Sequence, residues 1–152
     1  MEYILGGVLI VASSEPFVFQ SSGLEHALEL SSRIYLSGHL SLPQESLPHM
    51  STTSFEMGVS HYREFTHDTP HLHAENVEFN YVAEGETHLC DISSGKIWRL
   101  SRGSVFIVGP NTPYATKHRQ GTKVVFFKAP GGNDKRLVEL SPEIEEWLLE
   151  EI

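Results

Sequence analysis

The chain has 152 residues, a formal net charge of −9 at pH 7 and 39% hydrophobic residues. This length and composition indicate one globular domain with a single hydrophobic core. The chain has only 11 Lys and Arg residues, which argues against nucleic acid as a partner because a phosphate backbone requires a clustered basic surface. The single cysteine excludes an internal disulfide and any site built from several thiolates. A metal site in this chain would therefore use nitrogen and oxygen ligands.

Residues 1–32 are predicted to form an N-terminal strand or arm. Within them, residues 3–12 are a short apolar run that contains Gly6 and Gly7, which we interpret as a strand with a bend or bulge. The run has Glu2 where a secretion signal carries basic residues, and it is too short to span a bilayer. We therefore expect a cytoplasmic protein that makes no membrane contact.

Residues 33–130 show short β-rich runs without helical periodicity, and Gly, Asn or Pro stands at the reversals between them. Eight short strands at this spacing predict an all-β fold, either an antiparallel sandwich or a barrel. A stretch rich in Pro and Ser, residues 41–54, is predicted to be a connecting loop. The predicted strands are residues 34–38, 55–65, 77–83, 87–91, 96–100, 105–108, 114–118 and 122–128.

Residues 131–152 are predicted to be a loop followed by a short helix. Ser141 can cap this helix, Pro142 suits its first turn, and Ile144 and Leu148 lie on one apolar stripe. We expect the helix to pack on the outside of the barrel or on a partner subunit.

The most informative segment contains His71, His73 and Glu78. Residues two apart in an extended chain project to the same face, so the two imidazoles can point to one place. A carboxylate five positions later can reach the same place once the chain turns. Two His and one Glu leave coordination positions open on a first-row transition metal. We therefore predict that these three residues bind one divalent metal ion, which can be Fe, Mn, Ni or Zn.

The segment resembles the first motif of the cupin superfamily, in which a His-x-His pair is followed after four residues by a Glu and after six more by a Gly. His71, His73, Glu78 and Gly85 match each of these spacings. Phe65 stands where the family usually has a further Gly, six residues before the first His.

The second cupin motif runs from a Gly through a strand to a Pro-rich turn and ends in a fourth ligand His. Residues 103–113 are similar to it, but Tyr114 stands in the position of the His. The turn around Tyr114 is also similar to that of ectoine synthase, a cupin with a Tyr at its iron. The resemblance spans about residues 33–130 and implies the cupin double-stranded β-helix, a jelly-roll barrel, followed here by the short C-terminal helix.

Tyr114 is predicted to face the same cavity as the three ligands and to act there as a fourth ligand or as a proton donor. Strand parity places Tyr114, Thr116 and His118 on one face, with Lys117 and Arg119 turned to solvent. Tyr114 and His118 would be about 13 Å apart, so one of them supports the ligands or faces the substrate instead. The alternative is that Tyr114 is only a core aromatic at the barrel rim.

Other polar residues are candidates for substrate contact, together with His118. On strand 55–65, alternate residues form an apolar face, and continuing this alternation places His61 and Arg63 toward the barrel mouth, where Arg63 can pair with an anionic group. The alternative is that Arg63 is an exposed residue at the end of the strand. Asn80 shares its parity with Glu78 and is predicted to line the cavity.

These observations predict a metal-dependent enzyme that acts on a small polar molecule by dioxygenation, isomerisation or elimination. The alternative is a non-catalytic cupin that binds a sugar or an organic acid without turnover, and the missing fourth His favours it. A scaffold barrel without a site is disfavoured, since each unpaired buried polar group costs about 1–3 kcal/mol. A homodimer is expected, because an open barrel leaves sheet edges for a partner and the apolar residues 3–12 precede it.

Overall fold

The computed structural model describes residues 16–42 and 44–152, together with the backbone of two short N-terminal strands. These two strands pair as an antiparallel hairpin, and the bend predicted at Gly6 and Gly7 lies outside the described residues. In chain order the elements are β1 (Tyr3–Leu5), β2 (Val8–Ile10), α1 (Ser21–Leu30), β3 (Arg33–Gly38), β4 (Met50–Ser51), β5 (Glu56–Tyr62), β6 (Thr66–His67), β7 (His71–His73), β8 (Val77–Glu84), β9 (Glu86–Asp91), β10 (Lys96–Ser101), β11 (Val105–Val108), β12 (Tyr114–His118), β13 (Thr122–Ala129), β14 (Lys135–Leu137) and α2 (Pro142–Leu149).

The strands after α1 form two six-stranded sheets within the described part of the chain. The β12 sheet has the order β10-β9-β12-β7-β14, with β6 also paired to β12, and the β8 sheet has the order β11-β8-β13-β5-β3-β4. Neighbouring strands pair antiparallel except for β3 and β4. All eight predicted strands are present, which confirms the predicted all-β architecture.

The inner face of the β8 sheet carries polar residues beside apolar ones such as Val124 and Phe126, and part of its outer face is apolar. On β8, Asn80 is buried against an internal cavity, whereas Phe79 and Tyr81 are 39% and 44% exposed on the outer face. The same inversion holds on β5, where Ser60 faces the cavity and Val59 packs against helix α1. Side chains alternate between the two faces of a strand, so the polar cavity residues of β5 and β8 alternate with apolar residues on the outer face.

Helix α1 was not predicted from the sequence. It packs Ala27 and Leu28 against Ile34 of β3 and Val59 of β5, and thereby covers the outer face of the β8 sheet at these strands. The apolar face of β5 is therefore satisfied on the outside of the barrel. Strands β4, β6, β7 and β14 are further additions, and β14 carries the fold past residue 130.

Helix α2 begins at Pro142 after Ser141, as predicted. Its buried Leu148 packs against Cys90 of β9 and Ala115 of β12 on the outer face of the β12 sheet. None of the described helices is long and apolar enough to cross a membrane.

The prediction that Lys117 points to solvent was wrong. Its side chain does lie on the outer face of β12, but helix α2 covers it, and Lys117 is only 1% exposed. The ammonium group donates hydrogen bonds to the carbonyl oxygens of Trp147 (2.5 Å) and Glu150 (2.8 Å). These carbonyls belong to the C-terminal end of the helix, where no further turn supplies donors. Lys117 therefore ties this helix end to the barrel.

Candidate metal centre

Strands β7 and β8 bring the three predicted ligands together. His71 and His73 are both buried and lie two residues apart on β7, so their side chains share its inner face. Glu78 enters from β8 in the opposite sheet. One ligand atom from each of the three lies within 4.8 Å of the others. The predicted convergence on one point is therefore present in the structure.

Gly85 forms the reversal that joins β8 to β9. Its φ angle is 77°, in the left-handed region, and a Cβ atom added there would lie 2.4 Å from Oγ1 of Thr122. A residue with a side chain would be strained in both respects. The Thr122 hydroxyl instead accepts a hydrogen bond from the backbone N–H of Glu86 (3.1 Å), which fixes the hairpin whose first strand carries Glu78.

Both histidines are held by their Nδ1 atoms. Nδ1 of His71 donates to the carbonyl oxygen of Thr69, and Nδ1 of His73 donates to Oδ1 of Asp134, each at 2.6 Å. A carbonyl or carboxylate oxygen can only accept, so the ring proton belongs on Nδ1 in both residues. The Nε2 lone pair of each ring then faces the common point, which is the orientation that metal-binding histidines adopt.

The contacts at this point suit a bound cation. Nε2 of His73 lies 3.1 Å from Oε2 of Glu78, and two acceptor atoms at this distance need a proton or a metal ion between them. Burial alone would raise the pKa of Glu78, but a hydrogen bond from Asn80 and the contact with His73, which donates only as an imidazolium with a proton on both nitrogens, lower it to about 2. Burial likewise opposes a charge on His73, yet its two carboxylate neighbours raise its pKa. The residues present therefore fit a divalent metal.

Asp134 is a supporting residue that the sequence analysis did not single out. Besides His73, it accepts hydrogen bonds from the backbone N–H groups of Glu75 (2.8 Å) and Asn76 (3.0 Å). Burial opposes its ionisation, but these hydrogen bonds lower its pKa to about 2. The one signal in the sequence is that an acidic residue lies in the loop predicted to begin at residue 131.

Tyr114 faces the same point, as predicted from strand parity. Its hydroxyl lies 2.9 Å from Nε2 of His71 and 3.2 Å from Oε1 of Glu78, and the residue is buried. Burial raises the pKa of Tyr114 well above its usual range, and the charge of Glu78 raises it further. The hydroxyl therefore keeps its proton next to the two ligands.

His118 lies on the same face of β12 as Tyr114, at the other end of the strand. Its ring stacks on Tyr62 with centroids 3.7 Å apart, and its Nδ1 lies 3.0 Å from the hydroxyl of Thr87. Its Nε2 lies 3.4 Å from Oδ2 of Asp68. His118 lines the cavity, and its Nε2 faces Asp68 without forming a hydrogen bond.

The candidate site opens onto a cavity of about 830 Å³ between the two sheets. Asn80 lines this cavity, as predicted, and its Nδ2 donates to Oε1 of Glu78 at 2.9 Å. The walls combine aromatic and charged groups, which is typical of a site for a small polar molecule. The charged groups of the wall are Arg33, Glu45, Glu56, Asp68, Glu78, Lys128 and Lys135.

The prediction that His61 and Arg63 reach this cavity was wrong. Both line an adjoining cleft, and Arg63 is exposed and donates a hydrogen bond to the carbonyl oxygen of Leu28 in helix α1. The error came from the assumption that the apolar face of β5 was the inner one. Because helix α1 covers that face, the residues that share its parity lie outside the cavity.

No protein-family model matches the chain, and a search of curated proteins found no match. Among solved structures, the chain is similar to KdgF from a Halomonas species, with a TM-score of 0.51 and 18% identity over 67% of this chain and 80% of that one. A Klebsiella pneumoniae protein with a double-stranded β-helix domain gives a TM-score of 0.50 and 21% identity over 57% of this chain and 76% of that one. A variant of Streptomyces PAC13 with uridine gives a TM-score of 0.50 and 18% identity over 61% of this chain and 75% of that one.

These likenesses agree with the two facing sheets. The chain therefore has a double-stranded β-helix fold, a jelly-roll barrel, which confirms the fold implied by the sequence resemblance.

Proposed function

We propose that the protein is a metal-dependent enzyme that acts on a small polar molecule inside the barrel. The observation that carries this proposal is the convergence of His71, His73 and Glu78 within 4.8 Å at the wall of a cavity of about 830 Å³. Hydrogen bonds to Nδ1 orient both imidazoles toward that point, and such support is characteristic of a working metal site.

The three ligands would hold one divalent transition metal and leave coordination positions open toward the cavity. The metal would supply Lewis-acid or redox chemistry at that place. Tyr114 holds a proton on its hydroxyl beside the ligands, because burial and the charge of Glu78 raise its pKa. This group is therefore suited to donate a hydrogen bond or a proton to a bound substrate, or to complete the ligand set.

Elemental analysis of protein purified without a metal-affinity tag tests the proposal. We expect close to one equivalent of Fe, Mn, Ni or Zn, and we expect the His73→Ala variant to lose it. His88→Ala is the matched control, because His88 is also a buried strand histidine but is bonded to Glu86 away from the site. Native protein with less than about a tenth of an equivalent, and without tight rebinding of added metal, would contradict the proposal.

The second candidate is a binding protein without turnover, and the observation that favours it is Tyr114 in the place of a fourth His. This function predicts that a small ligand stabilises metal-stripped protein against heat. A metal-dependent enzyme predicts instead that chelation removes both the response to the ligand and its conversion. Product analysis with metal-loaded and metal-stripped samples therefore separates the two.

A further inference from the structure

The first observation concerns Arg33, at the start of β3. Its Nε donates to the hydroxyl of Ser60 at 2.9 Å, and its guanidinium carbon lies 5.1 Å from the centre of the Phe126 ring. Gly58 makes room for that ring, because a Cβ atom there would lie 2.6 Å from Cζ of Phe126. The guanidinium is thus held in a defined position on the cavity wall, stacked on an aromatic ring as arginine prefers.

The second observation concerns Lys135, in β14. Its register partner is His73 of β7, and cross-strand partners project to the same face of a sheet. Lys135 accordingly lines the cavity beside the candidate metal site. Lys135 remains exposed to solvent; desolvation lowers the pKa of its ammonium group, the charge of Asp68 opposes this shift, and the charge of Arg33 adds to it.

The remaining charges of the inner wall are paired. Lys128 contacts Glu56 at 2.9 Å, Glu78 contacts His73 at 3.1 Å, and Asp68 accepts a hydrogen bond from Tyr62. In contrast, no carboxylate of residues 16–42 or 44–152 lies within ion-pair distance of Arg33 or Lys135. Glu45 is exposed and lies in the loop that lines the mouth.

We propose that Arg33 and Lys135 bind a carboxylate group of the substrate, so that the cavity selects small organic acids over their neutral analogues. This inference rests on the proposed function for the role of the metal, but the two cations bind an acid whether or not a metal is present. A guanidinium with an ordered Nε presents its terminal amino groups to a carboxylate in a geometry that allows two parallel hydrogen bonds. Lys135 supplies a second positive charge next to the ligands.

Two side chains provide matched controls for removal of these charges. Arg63→Gln removes the same charge as Arg33→Gln, but its side chain lines the adjoining cleft. Arg136→Gln is the control for Lys135→Gln, because Arg136 is the next residue on β14 and therefore points to the other face. Neither control residue lines the main cavity.

The test is calorimetric titration of succinate, malate and gluconate against their neutral counterparts succinamide, malamide and sorbitol. We expect at least one acid to bind about tenfold or more tightly than its neutral counterpart, and we expect its affinity to fall as salt is added. Arg33→Gln and Lys135→Gln should each weaken that acid by about tenfold or more, whereas the two control variants should not. The inference is overturned if no acid binds, or if the acids bind no better than their neutral counterparts. It is also overturned if the Arg33→Gln and Lys135→Gln variants keep the native affinity for the preferred acid.

Metal content measured on the same samples separates this inference from the proposed function. Arg33 and Lys135 are not ligands, so their variants should keep the native metal content. A protein that prefers acids but binds no metal would refute the metal-dependent enzyme and leave the acid site standing. A protein that binds metal but shows no preference for acids would refute the acid site alone.

Discussion

The replacement Asp134→Asn tests how the candidate metal centre is held together. Asn has nearly the same shape as Asp, but it offers one acceptor oxygen and one NH2 group instead of two acceptor oxygens. In the native protein one oxygen of Asp134 accepts from Nδ1 of His73, and the other accepts from two backbone N–H groups. In either orientation of the amide, its NH2 group must therefore face a donor.

The size of the effect follows from these three hydrogen bonds. If the NH2 group faces the backbone, two N–H donors lose their acceptor, and if it faces His73, the ring proton is driven to Nε2, where a metal would bind. A buried donor without a partner costs about 1–3 kcal/mol, which applies to the N–H of the buried Asn76, whereas Glu75 is exposed. Loss of the group that orients a ligand His typically weakens metal affinity by about 10–100-fold.

Competition with a chromophoric chelator measures the metal affinity, and urea unfolding of the metal-free protein measures the stability. We expect Asp134→Asn to lose about tenfold or more in affinity for Zn²⁺ or Co²⁺ and about 1–3 kcal/mol in stability. The control is Asn133→Ala, because Asn133 is the exposed neighbouring residue. An Asp134→Asn protein with native affinity would refute the view that this carboxylate orients His73.

Three further predictions concern the rest of the molecule. Tyr114→Phe keeps the ring and removes only the hydroxyl, so its unfolding temperature, measured by calorimetry, should lie within a few degrees of the native value. Its metal affinity, measured by chelator competition, or its response to a ligand should change. If both stay native, Tyr114 is only a core aromatic. Burial would raise the pKa of Asp68, but the neighbouring imidazole of His118 and the charge of Arg33 hold it below its usual range. A carboxyl group whose pKa is lower in the folded than in the unfolded protein stabilises the fold at pH values above its unfolded pKa of about 3.9, and this contribution is lost as the pH falls toward the folded pKa. In acid titrations, Asp68→Asn should therefore lose less stability than the native protein between about pH 4 and pH 2. An identical dependence of stability on pH in the two proteins would refute this prediction. The predicted homodimer should sediment at twice the chain mass, and a native monomer at micromolar concentration would contradict it. Val105 and Ile107 are 58% and 57% exposed on the edge strand β11. If this apolar face forms the interface, replacing both residues by glutamate should give monomers.

Local sequence patterns predicted much of the fold. The eight strands follow from short β-rich runs between turn residues, and Gly85 marks one reversal that only glycine fits. Helix α1 could not be predicted in the same way, since it has no side-chain N-cap hydrogen bond and no charged residue suited to either end. Its stability comes from packing on the outer face of β3 and β5, which is a tertiary effect.

Part of the candidate site could likewise be predicted from local sequence patterns, whereas another part depends on tertiary pairing. His71, His73 and Glu78 lie within eight residues of one another, so their spacing alone predicts convergence. Asp134 and His73 are 61 residues apart in sequence, and only the pairing of β14 with β7 brings them together. Interactions across such separations leave no periodic signal in the sequence.

Strand β14 makes the C-terminal segment part of the candidate metal centre. Its residues pair with all three residues of β7, so the segment docks along the strand that carries both histidines. By thermodynamic linkage, a metal that binds more tightly when the segment is docked must stabilise the docked segment by the same free energy. Metal loading should therefore slow amide exchange and protease cleavage in residues 131–137. Docking of the C-terminal segment on β7 and binding of a metal ion therefore stabilise each other, and protection of residues 131–137 indicates whether the candidate site holds a metal ion.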